Sequence, residues 1–407
     1  MSEEPKYWYA LEESPSGTDL EAFRAAMEKV LRETNYAVPL SVYADSCANC
    51  LRCAERCPVY QVTGELKDIP AYRNHVLYEL YRRFFNPKEN GIARLLRPGA
   101  PNVDNITVED MAEMAYRCTN CKRCVLECPM GVDAMAINRL ARQILNEMGI
   151  VPKNLSFSSR LEFEEGGNTS NIPLPALIDT IEFLEEDIED TYGKKVQIPR
   201  DVEGVDYLFV APVSDWMMEA ETLMGVAMAL DAMGVSWTLG TKFYDAINYG
   251  LFYSDKVLLG VLKRLTDEAR RLKTPNILIG ECGHATRTVK DYIDCHPELS
   301  GINVISIHEM TADAIRTGKI KLNPEANPEK MTLHDPCNIV RMGTQGDNIR
   351  TILRACMSGE LIEMEPHGIE NYCCGGGGGT VTVEDIYKFR MEIGGRKKVE
   401  QLQAAKA

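Results

Sequence analysis

Two runs of cysteine at one spacing constrain this chain more than anything else in its 407 residues. Each reads C-x2-C-x2-C-x3-C-P: Cys47, Cys50, Cys53 and Cys57 before Pro58, then Cys118, Cys121, Cys124 and Cys128 before Pro129. Three thiolates so close in sequence wrap three corners of one cube. The fourth, set beside a proline that turns the chain and offers no competing N–H, points away to another. Structural zinc draws its ligands as pairs from separate ribbons, and buried free thiols keep no fixed spacing, so neither accounts for two complete copies. The pattern implies two cubane [4Fe–4S] clusters with exchanged fourth ligands. Cys57 joins Cys118, Cys121 and Cys124, and Cys128 joins Cys47, Cys50 and Cys53.

The two runs begin 71 residues apart, at Cys47 and Cys118, so helices are expected to fill the gap. Ile69 to Phe85 and Val108 to Tyr116 read as helices, with a loop from Pro98 to Asn105. Helical spacing also marks Leu20 to Arg32, Asp133 to Met148 and Pro175 to Glu186. From residue 204, short apolar runs alternate with helical patterns. The runs are Tyr207–Val210, Ser236–Leu239, Asn276–Ile279, Asn303–Ile307 and Met331–Leu333. The helical patterns are Trp216–Met233, Lys256–Leu272 and Asn348–Met357. Such alternation predicts an α/β domain with a mainly parallel sheet.

The expected fold class is therefore α+β and multidomain. An N-terminal segment covers 1–40, a helical two-cluster domain 41–150, a connector 151–203 and an α/β domain 204–407. The α/β domain divides into halves at about 204–300 and 301–407. Val213 and Cys337 follow matching strand-Pro motifs, and Asn248-Tyr249-Gly250-Leu251 echoes Asn371-Tyr372-Cys373-Cys374. The offsets, 124 and 123 residues, point to a diverged duplication with a pseudo-twofold relation between halves.

Lys and Arg number 45 against 60 Asp and Glu, a net charge of −15. That excludes a general nucleic-acid binder, which needs a basic face. No stretch approaches the roughly 18–20 apolar residues of a membrane span, and the start, Met1-Ser2-Glu3-Glu4-Pro5-Lys6, lacks a secretory pattern. The chain reads as cytoplasmic, with any attachment to the inner membrane made through a partner. Of the fourteen cysteines, the eight at the two identical spacings then serve metal rather than disulfides.

A third constellation lies downstream: His334-Asp335-Pro336-Cys337, then 35 residues, then Cys373-Cys374 and five glycines, Gly375 to Gly379. Adjacent cysteines suit a metal cluster of unusual shape. The glycines allow positive φ and close backbone approach, with N–H groups turned to a cluster or an anion. The glycine run has neither a leading strand nor a Lys-Ser/Thr, so it is no nucleotide loop. Met217, Met218, Met224, Met228 and Met233 read as helix core. Cys295 and Cys356 lack partners at metal spacing and read as core thiols.

On Cys337, Cys373, Cys374 and Gly375 the chain, from about Leu208 to Lys398, resembles the CCG-domain family of heterodisulfide reductase catalytic subunits. The preceding runs resemble the helical two-cluster domain of fumarate reductase-type iron–sulfur subunits. The same layout is seen in the D subunit of heterodisulfide reductase (HdrD), DsrK, the BamD subunit of class II benzoyl-CoA reductase and glycolate oxidase iron–sulfur subunits. The resemblance implies a noncubane [4Fe–4S] cluster on Cys337, Cys373 and Cys374 that handles disulfides. The family's following Cys-x-x-Cys is not present after Cys374. In the first half Val213 and Gly250-Leu251 stand in place of cysteines, leaving Glu281-Cys282-Gly283-His284. Cys282 is the expected fourth ligand. His284, His334 and His367 stand beside these cysteines as proton donors or hydrogen-bond partners, with Gly375 and Gly376 at the cofactor. A structural role is the competing expectation for each histidine, and for Tyr372 and Asp335.

The function expected is that of an electron-transferring oxidoreductase subunit, passing electrons through two cubanes to or from the noncubane cluster. The alternative is a non-catalytic relay or scaffold of a larger complex, such as a class II benzoyl-CoA reductase or a flavoprotein-linked hydroxy-acid oxidase. Expected partners are a flavoprotein, a heterodisulfide reductase A/C-like subunit, an acyl-CoA reductase or a membrane cytochrome b-like subunit.

Overall fold

The structure, a computed structural model, describes residues 19–85, 101–164 and 166–406. Residues 1–18 of the expected N-terminal segment and 98–100 of the expected loop lie outside them. The chain forms two compact units. The first comprises Met1–Ser156, Phe252–Asp255 and Glu370–Lys406, the second Phe157–Leu251 and Lys256–Ile369.

In the first unit a helix over Ala134–Glu147 is central. It packs against helices Leu20–Glu33, Pro70–Phe85 and Val108–Tyr116. Its start is dictated locally, since Asp133 accepts the Met135 and Ala136 N–H groups at 3.0 Å. Ile137, Leu140 and Ile144 then fall on one buried stripe, and Met135, Arg139, Arg142 and Leu145 are buried on the other sides, as a central helix requires. Asp19 caps Leu20–Glu33, and Thr107 with Asp110 forms a capping box at Val108. These caps explain why the sequence placed both starts within a residue.

The second unit holds a four-stranded, all-parallel sheet in the order β2-β1-β3-β4. Its strands are Tyr207–Val210 (β1), Trp237–Leu239 (β2), Asn276–Ile279 (β3) and Asn303–Ser306 (β4). Leu208 pairs with Ile277 and Leu278 with Ile305. Phe209, Leu278, Trp216, Trp237 and Leu230 form the core with Leu177, Ile181 and Leu184 of the helix Leu174–Tyr192. Two expectations need correction. The fifth apolar run, over Met331–Thr332 (β5), does not join this sheet; it pairs in parallel with Leu361–Ile362 (β6), which the sequence had not suggested. The helix expected over Trp216–Met233 is broken into Val213–Met217 and Ala220–Ala232. Met224 and Met233 are core residues, as expected, whereas Met217 and Met218 are exposed.

Candidate metal centres

The two cysteine loops repeat one backbone. Asn49 and Asn120 have φ of 50° and 54°, and Leu51 and Lys122 have φ of 60° and 62°, so each loop makes two left-handed steps among its first three cysteines. Asparagine tolerates that region, but leucine and lysine pay about 1–2 kcal/mol there. Strain repeated at equivalent positions marks a conformation set by function. Each loop then runs into a short helix, Arg52–Arg56 or Arg123–Leu126. The fourth cysteines hang from equivalent bonds, Cys57 N–H to Ala54 and Cys128 N–H to Val125, both 3.1 Å. Arg56 and Glu127, each one residue before a fourth cysteine, pair at 2.8 Å and tie the loops together.

Side chains from both runs then converge. Cys57, Cys118, Cys121 and Cys124 line one cavity together with Arg73 and Asn120. Burial pushes the Cys57 thiol up to about 11, with the nearby Cys118 and Cys121 adding to the rise. Burial also holds Cys124 well up, reinforced by Cys121, Cys57 and Cys118. On the other side burial lifts Cys53 to about 11, and Cys128 adds to the rise at both Cys53 and Cys47. Thiols so shielded and so crowded resist ionising alone and need positive charge among them to become thiolates. Two buried donors in the first cavity, Arg73 Nη1 and Asn120 Nδ2, have no hydrogen-bond partner. None of the fourteen cysteines is in a disulfide. Among the described residues no three Cys, His, Asp or Glu side chains close on a single-ion site, whereas a cube spreads four thiolates over four separate irons. The cavity, its thiols and its unpartnered donors fit an anionic iron–sulfur group.

Cys373 and Cys374 belong to the same unit. Cys373 is 2% exposed; its sulfur accepts the Gly375 N–H at 3.3 Å and lies 3.4 Å from Thr119 Oγ1, beside Cys118. Cys374 is exposed. Gly375 takes φ +82°, and Gly378 lies so close to Thr119 that a Cβ would approach its carbonyl oxygen to 2.7 Å. Arg142 binds the Gly378 carbonyl and, at 2.8 Å, that of Cys118. Arg123 lies 4.2 Å over the Tyr372 ring and donates to the Glu370 carbonyl.

Cys282 and Cys337 fall in the second unit. Cys282 follows β3 past its carboxyl end, where strand order reverses between β1 and β3, the usual ligand position of an open parallel sheet. Its sulfur accepts the Ala285 N–H at 3.5 Å and caps the helix Gly283–Tyr292. Burial pushes Cys282 up to about 12, with Asp215 adding to the rise. Asp215 itself is lifted to about 7 by burial and by Glu281. Cys337 opens a turn over Cys337–Arg341, and Gly283 abuts it, since a Cβ there would stand 3.1 Å from Asn338. Asp335 is spoken for structurally: buried, it takes both Arg350 nitrogens at 2.8 and 2.9 Å and the Gly368 N–H at 2.6 Å. His284 lies beside Tyr249, with ring centres 6.4 Å apart. His334 is half-buried, and half-exposed His367 lies 3.8 Å from Glu365. Cys356 is half-buried. Cys295 is exposed, so its reading as a core thiol is corrected.

Sequence reasoning missed Arg73, Asn120 and Thr119. An asparagine at the same place in both loops was the available signal for the left-handed step. Nothing in the sequence pointed to Arg73.

Comparison with known proteins bears on the same segments. Residues 43–132 match the 4Fe-4S dicluster domain, and residues 331–407 the cysteine-rich domain. The Hdr-like menaquinol oxidoreductase iron-sulfur subunit 2 of Archaeoglobus fulgidus is 27% identical over 91% of this chain and 73% of its own length. The D subunit of the dihydromethanophenazine:CoB–CoM heterodisulfide reductase of Methanosarcina mazei is 25% identical over 82% of this chain and 78% of its own. The EtfAB:quinone oxidoreductase of Syntrophomonas wolfei is 24% identical over 84% of this chain and 49% of its own. No solved structure matches. No helix among the described residues is long and apolar enough to cross a membrane. The chain thus joins a 4Fe-4S dicluster domain to a CCG cysteine-rich domain and is similar, over most of its length, to Hdr-like iron–sulfur subunits and heterodisulfide reductase D subunits.

Proposed function

We propose that this chain is the electron-transferring subunit of a heterodisulfide reductase-like complex, with two cubanes in its helical domain and a noncubane cluster on the cysteine-rich motif. One observation carries the reading. The Cys373 sulfur lies 3.4 Å from Thr119 Oγ1, and Thr119 adjoins Cys118, so the second cysteine loop and the Cys373-Cys374 pair are contiguous. Bound clusters would supply one-electron storage; the chain's own groups position and insulate them.

Cys57, Cys118, Cys121 and Cys124 are assigned to one cubane, and Cys47, Cys50, Cys53 and Cys128 to the other. The motif assigns Cys337, Cys373 and Cys374 to the third cluster, with Cys282 as fourth ligand. The Gly375 N–H donates to the Cys373 sulfur and so stabilises its thiolate. Gly376, His284 and His334 are assigned beside this cluster, the histidines as proton donors to a thiol product. The duplication is supported by a shared local pattern: β1 runs through Pro212 into Val213–Met217, and β5 runs through Pro336 into Cys337–Arg341. At Gly250, which the duplication aligns with Cys373, a Cβ would come 2.4 Å from Leu258 N. A cysteine has no room there, which supports a single special cluster.

That closed first half also favours the second reading, a relay without its own substrate. By likeness to the relatives, the partner is a quinone-linked or flavoprotein subunit of a redox complex. Anaerobically purified protein should contain about eight irons from two cubanes, and about twelve with the third cluster. A value near four, or zinc instead of iron, overturns the two-cubane assignment. Cys282→Ala should abolish the third signal and spare the others. Disulfide reduction by the purified chain supports catalysis, and its absence with all clusters filled supports the relay.

A further inference from the structure

The two cysteine sets share a backbone but differ in the charge around them. Near Cys47 the guanidinium is that of Arg82, which is already neutralised: Nη1 bonds Glu79 at 2.9 Å, and Nη2 binds the Ala44 carbonyl and lies 3.5 Å from Asp45. The cavity of Cys57, Cys118, Cys121 and Cys124 is bordered by Arg73, whose side chain makes no hydrogen bond or ion pair among the described residues and whose Nη1 is buried without a partner. The closest carboxylate in the sequence, Asp68, acts on Arg73 only through space; its own bonds go to Arg117 Nε at 2.6 Å and Thr63 Oγ1 at 2.7 Å, and Arg117 offsets its charge. A second guanidinium, fully buried Arg142, touches the Cys118 carbonyl; its partners are the carbonyls of Ala115, Cys118 and Gly378, with no carboxylate. The amide of Asn120, which also lines the cavity, is fixed by Asn138 Nδ2, which donates to its Oδ1 at 2.8 Å and leaves Asn120 Nδ2 buried without a partner.

We propose that Arg73, supported by Asn120 and Arg142, makes the group held by Cys57, Cys118, Cys121 and Cys124 the more easily reduced of the two, so that an electron shared between them rests beside Cys373. The inference builds on the cubane assignment above. A cube with four thiolates is an anion, and reduction adds one electron and no proton. A cation bonded to no carboxylate, in a poorly screened interior, therefore favours the reduced form over the oxidised form. Arg73 touches no substrate and acts as a positioning residue for charge.

The test is an anaerobic redox titration with dithionite, followed by electron paramagnetic resonance, on wild type, Arg73→Gln, Arg73→Lys and Cys57→Ser. Cys57→Ser identifies the signal of this cluster. Arg73→Gln should lower its reduction equilibrium at least tenfold, equivalent to about 59 mV for one electron, without moving the other. Arg73→Lys should restore it. If Arg73→Gln fails to assemble the cluster, Arg73→Lys decides: a wild-type potential supports the inference and a tenfold shift overturns it. A full cluster with unchanged potential in Arg73→Gln overturns the inference and leaves the cubane assignment standing. Wild-type protein with only four irons overturns both.

Discussion

Adjacent glycines in the Gly375–Gly379 run should respond in opposite ways to the same added methyl group. Gly375 has φ +82°, and a Cβ there would meet Gly395 N at 2.6 Å, Gly394 C at 2.8 Å and the Arg390 carbonyl oxygen at 2.9 Å. All three are backbone atoms, so no side chain can swing aside. Alanine would incur about 1–2 kcal/mol for the left-handed conformation and about 1–3 kcal/mol for forcing the backbone apart. Gly376 lies outside the left-handed region, and a Cβ there would find only Cys374 Sγ at 3.6 Å, an ordinary contact. Gly376→Ala should leave stability unchanged or raise it by about 0.4–1 kcal/mol through the unfolded chain. Guanidinium unfolding of both variants, followed by circular dichroism under argon, reads the difference as a shift of midpoint at constant slope. Gly375→Ala should also weaken the N–H bond to the Cys373 sulfur, so its third-cluster signal should fall. Equal midpoints for the two variants would refute the packing argument.

Three further outcomes follow from ion pairs and exposure. Asp68 is fully buried and holds Arg117, whose side chain is 4% exposed. Asp68→Asn should therefore cost about 3–5 kcal/mol by stranding a cation, and adding Arg117→Met should recover much of the loss in denaturant midpoint. Burial acts to raise the Glu309 carboxyl, but Lys290 at 2.6 Å and the Ser306 N–H outweigh it and hold it below its ordinary value. A depressed folded pKa adds stability that is full above the unfolded value of about 4.3 and fades as pH falls through the folded value. The gap in melting temperature between wild type and Glu309→Gln should then close on acidification below pH ~4.3; a constant gap down to low pH would contradict it. Exposed Cys295 should take up iodoacetamide well before buried Cys373 and Cys57 in peptide mapping of the native protein.

What the sequence made legible was whatever local chemistry decides. The helix at Val108 begins and ends as expected because Thr107 and Asp110 cap each other, and β1, β3 and β4 appear where β-branched and aliphatic runs lie between turns. The sheet's fifth member failed because so short a run, Met331–Leu333, records no partner; the pairing of its Met331–Thr332 with Leu361–Ile362 is a tertiary fact. The helix break between Met217 and Ala220 falls among good helix formers such as Met218, so periodicity read straight through it. Cys295 was misread because spacing alone does not register exposure. The meeting of Cys57 with Cys118, Cys121 and Cys124 followed from the motif, whereas Arg73 and Thr119 entered only through packing of segments far apart in sequence.

Two loops with one backbone and two different surroundings give direction to what the repeat alone leaves symmetric. Copying C-x2-C-x2-C-x3-C reproduces thiolates and left-handed turns, so intrinsic ligation is the same in both sets and cannot order them. Order has to come from outside the loops. At Cys47 the available guanidinium is paired with Glu79; at Cys118 two guanidinium groups are bonded to no carboxylate among the described residues, and a threonine beside Cys118 touches the Cys373 sulfur. Charge and contact therefore single out the same set. Were the unpaired cation at Cys47 instead, an electron would settle on the set farther along the chain from Thr119 and leave it against an electrostatic gradient. With Arg73 where it is, the well favoured by charge is also the one adjoining the Cys373-Cys374 pair, which is the arrangement a relay toward that pair requires.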